Sequence, residues 1–272
     1  MRIHHLNCGS LCPRGGRLFG GRGGPWATAP MCCHCLLIES EDGLILVDAG
    51  LGVEDVGDSD RLGFLFTALT RPRLEVAETA FRQVADRGFR IDDVRHIVPT
   101  HLDLDHAGGL ADFPAARVHV HATELRAARE PTWRERMRYR EPQISAVANW
   151  APVEASGEDW FGFASVRALP GTRDDVLLIP LPGHSRGHCG VAVRTASGWL
   201  LHCGDAYFHH AEIAPGGASA PAGIRMFESL VNIDKATRLA NQKRLRDLKR
   251  HHGDEVRLIS SHDPAELAAC RS

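Results

Sequence analysis

Thr100-His101-Leu102-Asp103-Leu104-Asp105-His106-Ala107-Gly108-Gly109 is the stretch that decides how the rest of the chain is read. The apolar run Val94-Arg95-His96-Ile97-Val98 leads into it, so it reads as a loop leaving a strand. In that setting alternate side chains point to opposite faces: His101, Asp103 and Asp105 share one side while Leu102 and Leu104 pack on the other. A packed core does not need four metal-binding side chains among the six residues from 101 to 106. The competing explanation is a solvated acidic turn, because Asp and His are mostly surface residues.

The bulk properties narrow the field. A chain of 272 residues can bury a sizeable core in one large domain. With 43% hydrophobic and 24% charged residues it is globular in composition. A formal charge of -2 gives no global attraction to nucleic acid or to an anionic membrane, and neither is expected as a partner. No run approaches the roughly 20 apolar residues of a membrane span. The N-terminus lacks the apolar run of a secretory signal, so a cytoplasmic location is expected. The cysteines Cys8, Cys12, Cys32, Cys33, Cys35, Cys189, Cys203 and Cys270 then read as core thiols. A structural zinc site built from the first five is the alternative, although their spacing matches no standard zinc pattern.

Taken in order, residues 1–8 and 31–39 read as strands around a glycine-rich loop, Pro13 to Pro30. No Gly-Lys-Ser/Thr closes that loop as a phosphate loop requires, and its Phe19 and Trp26 either border a pocket or ride on a mobile connection. Glu41-Asp42-Gly43 reads as a hairpin turn before a buried strand, Leu44 to Val47, that ends at Asp48. The apolar spacing predicts a helix over 74–87 closed by Gly88. His119 and His121 alternate on the strand Arg117 to His121 and read as structural or pocket-lining. The segment 123–160 is polar, arginine-rich and broken by Pro131, Pro142 and Pro152; it reads as a lid or partner surface inserted into a single domain spanning 1–272. The strand Val176 to Leu181 runs into His184, and a hairpin over 190–203 ends at Asp205. A helix opened by Asp234 and closed by Gly253 precedes the strand Val256 to Ile259, which ends in Ser260-Ser261-His262. One strand-end histidine means little, but ligands at the ends of several strands are how α/β folds assemble a site on one sheet edge.

The motifs Val47-Asp48-Ala49-Gly50, Thr100 to Gly109, Pro182-Gly183-His184-Ser185-Arg186-Gly187-His188, Gly204-Asp205 and Ser261-His262 resemble, in this order, those of the metallo-β-lactamase superfamily. The resemblance covers nearly the whole chain. It implies an α+β fold, a four-layer αββα sandwich, with two divalent metal ions, zinc foremost, in a cleft at one edge. Position by position it implies His101, Asp103 and His184 around the first ion, Asp105, His106 and His262 around the second, and Asp205 between them. Asp48 and His188 would stand behind the ligands and orient them. The family usually has histidine where this chain has Asp103. An additional carboxylate makes the first position harder and more anionic, which weakens the preference for zinc and admits manganese or iron. Related flavodiiron proteins carry Glu there, so a diiron oxidoreductase is the alternative, although these residues hold no flavin domain.

The activity that the resemblance implies is hydrolysis of a small molecule. Two metals share a hydroxide whose parent water is acidified toward about 7, and that hydroxide attacks the carbonyl of a lactone, ester or thioester. A β-lactam or phosphodiester is the other substrate class within the superfamily. Ser185 has no Gly-x-Ser-x-Gly elbow to make it a nucleophile. The chain looks most like the N-acyl-homoserine lactonases, in which a tyrosine three residues after the bridging aspartate contacts the substrate. Here that place holds Phe208, with Tyr207 one residue earlier. Tyr207 is therefore either a pocket donor, catalytic together with Asp105, or a core tyrosine. A homodimer is compatible with the composition.

Overall fold

Strands covered on both faces read as unbroken apolar runs, and two sheets of such strands organise the molecule. The computed structural model describes residues 1–154, 157, 159–164, 175–216 and 218–271. Its first sheet comprises β1 (Arg2–Leu11), β2 (Met31–Ser40), β3 (Gly43–Val47), β4 (Pro72–Arg73), β5 (Val94–Val98), β6 (Arg117–His121) and β7 (Trp150–Val153), lying side by side as β4-β1-β2-β3-β5-β6-β7. A small hairpin, β8 (Asp159–Trp160) and β9 (Phe163–Ala164), follows. The second sheet holds β10 (Val176–Pro180), β11 (Cys189–Thr195), β12 (Gly198–His202) and β13 (Val256–Ile259) in chain order. Pairing is parallel along β3-β5-β6-β7 and between β12 and β13.

The two-residue period of a strand divides the apolar side chains between layers. Leu36 and Ile38 of β2, Ile45 and Val47 of β3, Val191 and Val193 of β11, and Ile259 of β13 meet between the sheets. Their neighbours Cys35, Leu37, Leu44 and Leu46 face outward against Ala80, Val84, Leu110, Leu125 and Ile144, which belong to helical segments. On the far side Ala192, Leu201 and Leu258 pack against Leu245 and Leu248 of the helix Lys235–His252. The result is helix, sheet, sheet, helix, the metallo-β-lactamase arrangement.

Several local expectations change. The helix expected over 74–87 is shorter, Ala80–Asp86. Thr79 starts it by accepting a hydrogen bond from the Arg82 N–H, and Leu74 instead packs with Leu51, Leu62 and Leu104. Gly88 closes it at φ +82°, its N–H donating to the Ala85 carbonyl. The glycine-rich loop contains a short helix, Gly16–Gly20; Phe19 packs near Phe208 and Phe227, while Trp26 is exposed. The segment 123–160 is not wholly a surface insertion, since its Trp150–Val153 is β7, the outer strand of the first sheet. Pro152 is tolerated there because an edge strand has one unpaired side. Residues 155, 156 and 158 of that segment lie outside the described residues. All eight cysteines are free, and among the described residues no grouping of metal-capable side chains contains more than Cys33 of them. No helix among the described residues is long and apolar enough to cross a membrane.

Helix Lys235–His252 begins as the sequence suggests, with the Asp234 side chain accepting from the Thr237 N–H. Its inward stripe is polar at the start: Arg238 donates to the buried Glu228 of helix Ala222–Val231 at 2.8 Å, and Gln242 donates to the same oxygen at 3.2 Å. Burial and the neighbouring Glu212 carboxylate push Glu228 up to about 9. The folded state therefore holds a proton that the unfolded chain releases near 4.5, and the contribution of this one group to stability falls as pH rises between about 4.5 and 9. Thermal melts across that window are expected to show the parent chain losing stability relative to Glu228→Gln as pH rises; parallel profiles would refute the assignment.

Candidate metal centre

The C-terminal ends of β3, β5, β10, β12 and β13 lead to Asp48, His101, His184, Asp205 and His262, respectively. The turn after β3 needs unusual backbone: Asp48 has φ 55°, which a short polar side chain tolerates, and Gly50 has φ +65° with its Cα against Cys8. A Cβ on Gly50 would lie 2.1 Å from the Cys8 carbonyl oxygen. Gly204, at φ +55°, precedes Asp205 where a Cβ would come within 2.6 Å of His188 Nε2. Both glycines are thus required by close approach as well as by φ.

Two groups of side chains converge with their candidate ligand atoms within 4.8 Å of one another: His101, His184 and Asp205, and His106, Asp205 and His262. Asp205 belongs to both. Its Oδ2 lies 3.4 Å from His184 Nε2 and 3.8 Å from His101 Nε2, while its Oδ1 lies 3.2 Å from His262 Nε2 and 3.4 Å from His106 Nε2. Burial works to raise the Asp205 carboxyl, but the rings of His262, His106 and His184 overcome it and hold it well below the usual range. His101 Nε2 and Asp205 Oδ1 are buried without a hydrogen-bond partner among the described residues. Orphaned lone pairs on imidazole and carboxylate facing one another are the donor set a divalent cation satisfies, and two such sets share one carboxylate. The residues fit the pair of ions.

The opposite ring atoms are fixed. Asp48 accepts from the Thr100 N–H at 2.6 Å and from the Thr100 hydroxyl at 3.0 Å; that hydroxyl faces His101 Nδ1 at 3.0 Å, and Asp48 Oδ2 faces His106 Nδ1 at 3.0 Å. One carboxylate therefore orients a histidine of each group. His262 Nδ1 donates to the Cys32 carbonyl at 2.8 Å. His188 Nδ1 donates to the Leu181 carbonyl, and its Nε2 accepts from the Asp205 N–H, both at 2.9 Å. Such partners set which nitrogen is free to bind.

Asp105 stands beside His262, its Oδ2 3.7 Å from Nε2, and forms a third grouping with His262 and Cys33. Asp103 divides its carboxylate: Oδ2 lies 3.0 Å from His184 Nε2 and 3.5 Å from His101 Nε2, while Oδ1 lies 3.0 Å from Arg138 Nη1. Burial opposes its ionisation, but Arg138 and His101 hold the carboxyl well below its ordinary value. Tyr207 is not brought to the site. It is fully buried, with its hydroxyl donating to Glu266 at 3.0 Å, and the neighbouring Phe208 instead stacks on His262 at 5.0 Å between ring centroids. The chain's other tyrosine, Tyr139, also has its hydroxyl on a carboxylate, that of Glu124. His119 hydrogen-bonds His96 and His121 caps a helix, so neither reaches the centre.

The sequence does not announce Glu124, Arg138 or Cys33 as parts of this neighbourhood, whereas Phe208 stands where the resemblance puts a substrate-contacting residue. Glu124, fully buried on helix Ala122–Arg129, accepts from the Leu102 N–H at 3.1 Å, the Ser185 hydroxyl at 2.7 Å, the Gly187 N–H at 2.9 Å and the Tyr139 hydroxyl at 3.1 Å. It ties together the loop that carries His101 and the loop that carries His184. Ser185, committed to Glu124 and buried, is not available as a nucleophile. Asn241 of helix Lys235–His252 adds a brace by donating to the Pro182 carbonyl at 2.7 Å.

Comparison with known proteins agrees with this geometry. The family model described as metallo-beta-lactamase superfamily matches residues 30–246. A probable metallo-hydrolase of Mycobacterium tuberculosis is 42% identical over 265 residues, 97% of this chain and 81% of the relative. An N-acyl homoserine lactonase of Bacillus thuringiensis is 30% identical over 176 residues, 64% of this chain and 63% of the relative. A solved N-acyl homoserine lactone hydrolase, with the product N-hexanoyl-L-homoserine bound at its catalytic metal center, shares the fold with a TM-score of 0.74 at 23% identity, over 99% of this chain and 96% of that one.

Removing the Glu124 carboxylate strands several buried donors, each costing roughly 1–3 kcal/mol. Glu124→Ala is expected to lower stability by about 3 kcal/mol or more, and Glu124→Gln, which keeps an acceptor, by less. Urea unfolding midpoints check the order; a change below about 0.5 kcal/mol for the alanine variant would show that Glu124 is not the tie.

Proposed function

Since the chain belongs to the metallo-β-lactamase superfamily and is a metal-dependent hydrolase, we propose that it uses two divalent cations to hydrolyse the acyl C–O or C–S bond of a small lactone, ester or thioester. The observation that carries this reading is Asp205, whose two oxygens face two separate histidine pairs. His101 and His184, with Asp103, would hold one cation; His106 and His262, with Asp105, the other. When bound, such a pair supplies Lewis acidity and a water acidified into the neutral range. His188 keeps Asp205 in register through the backbone N–H, and Asp48 keeps His101 and His106 turned inward. Asp105, whose side chain is 11% exposed and stands beside His262, would take the proton of the attacking water and return it to the leaving oxygen.

The substrate side of the reading rests on what surrounds these groups. Phe208 gives an apolar wall over His262. Met137 and Leu230 are exposed next to Arg138 and Val231, which join across the site's edge. An uncharged acyl group suits such walls, and the lactonase relative acts on a substrate that carries one. With the hydroxyl of Tyr139 on the buried Glu124 and that of Tyr207 on Glu266, this chain brings no phenol to a substrate carbonyl.

The test is metal analysis and hydrolysis on one preparation. Protein purified without added metal is expected to carry two divalent ions per chain, zinc foremost, and to cleave a chromogenic lactone or ester. A chelator should abolish the activity, zinc should restore it, and Asp105→Asn should lower kcat by about 100-fold or more. Iron at two per chain with oxygen uptake would assign the diiron oxidoreductase instead. Inactivity across lactones, esters, thioesters, β-lactams and phosphodiesters would sink the hydrolase reading.

A further inference from the structure

Where the family usually places a neutral histidine, this chain places Asp103, and a buried arginine stands directly behind it. Arg138 has a side chain only 10% exposed, and its Nη1 lies 3.0 Å from Asp103 Oδ1. Its Nη2 donates to the Val231 carbonyl at 2.6 Å, at the C-terminal end of helix Ala222–Val231, where a helix favours a cation. The next residue, Tyr139, is held by Glu124, so the backbone that delivers the guanidinium is fastened to the same carboxylate that ties the two ligand loops. The other oxygen of Asp103 faces His184 and His101 at 3.0 and 3.5 Å.

We propose that Arg138 is a built-in counter-charge that lets Asp103 serve at the first cation position as an electrically neutral unit, the equivalent of the histidine it replaces. This rests on the two-cation reading above. Asp103, Asp105 and Asp205 would otherwise place three carboxylates around the pair of ions, and the additional anionic oxygen would pull the first position toward manganese or iron. A guanidinium cannot give up its proton, so the compensation is permanent, and burial keeps it from being screened by salt. The ion pair also lowers the basicity of the carboxylate and takes up Oδ1, leaving Oδ2 toward His184 and His101. Arg138 is thus a positioning residue that sets metal choice.

The experiment compares metal choice in the parent chain, Arg138→Met, Arg138→Lys and the double variant Asp103→His/Arg138→Met. Each is stripped, offered equimolar zinc and manganese, and analysed for both metals per chain, with circular dichroism to verify the fold. The parent chain should take zinc over manganese. Arg138→Met should lose that preference by about 10–100-fold at one of its two positions, and Arg138→Lys should keep most of it. The double variant should regain it, because histidine needs no counter-charge. A zinc-to-manganese ratio in Arg138→Met within about twofold of the parent overturns the proposal, as does a double variant no better than the single. So does unchanged metal content with only a raised KM, which would make Arg138 a substrate-binding residue. If Arg138→Met does not fold, the double variant decides: zinc preference supports the proposal and its absence overturns it. A parent chain that takes one cation defeats the two-cation reading while the ratio at that position still judges Arg138; one that takes none defeats both.

Discussion

Concentrating carboxylates in a dry sheet edge is the constraint on which this structure turns. Asp48, Asp103, Asp105 and Asp205 lie close together with little or no exposure. Like charges at such range and in such a medium repel strongly, and an ionised carboxylate keeps its charge out of water only with partners. Each of the four faces one or more: the Thr100 donors and His106 for Asp48, Arg138 for Asp103, His262 for Asp105, and four histidine rings for Asp205. No single loop could provide that many. The partners come from both sheets, so the centre exists only where the two sheets meet.

That requirement ties the core to the chemistry. Asp48, His101 and His106 leave the first sheet, whereas His184, Asp205 and His262 leave the second. The apolar layer between the sheets, Leu36, Ile38, Val47, Val98, Val191 and Ile259 among others, fixes the distance between the two half-sites. Close-packed interiors transmit displacements of side chains by fractions of an ångström. A methylene removed from that layer therefore acts on the spacing of these side chains as well as on stability. Phe208 extends the same logic outward, stacking on His262 while joining an apolar cluster with Ala220 and Ile224, and Phe19 of the glycine-rich loop packs against that cluster.

The legible parts of the sequence were those in which short-range pattern and long-range role coincide. Strand ends carrying Asp48, His101 to His106, His184, Asp205 and His262 declare both a β period and a donor set, and the two sheets follow from the apolar runs before them. The illegible parts depend on direction in space. The spacing after Asp205 already puts Phe208 at the place of the lactonase tyrosine, but that the Tyr207 hydroxyl turns away to Glu266, far along the chain, is decided only by the fold. Glu124 and Arg138 look like solvated charges on a polar stretch; only the fold buries them against Leu102, Ser185 and Asp103. Trp150–Val153 carries too few residues and a proline for a strand reading, and pairing with β6 makes it one. Thr79 cut short the helix expected over 74–87 because a side-chain cap outweighs an apolar stripe that continues on both sides of it.

The stretch from Glu124 to Arg138 behaves as a span fixed at both piers. One pier grips the two ligand loops and the other grips Asp103 and the end of helix Ala222–Val231. Between them Trp133 and Met137 are open to solvent, while Glu135 holds the span's shape by accepting from Thr132 and Arg186. Substitution is therefore best tolerated at the solvent-open positions of the span and worst at Glu135 and at its two ends. Trp133 and Met137 can therefore vary without loosening either pier, whereas Glu135, buried and joined to Arg186 on the loop that carries His184, cannot, and grafting this segment between relatives requires that Glu135 and both piers travel with it.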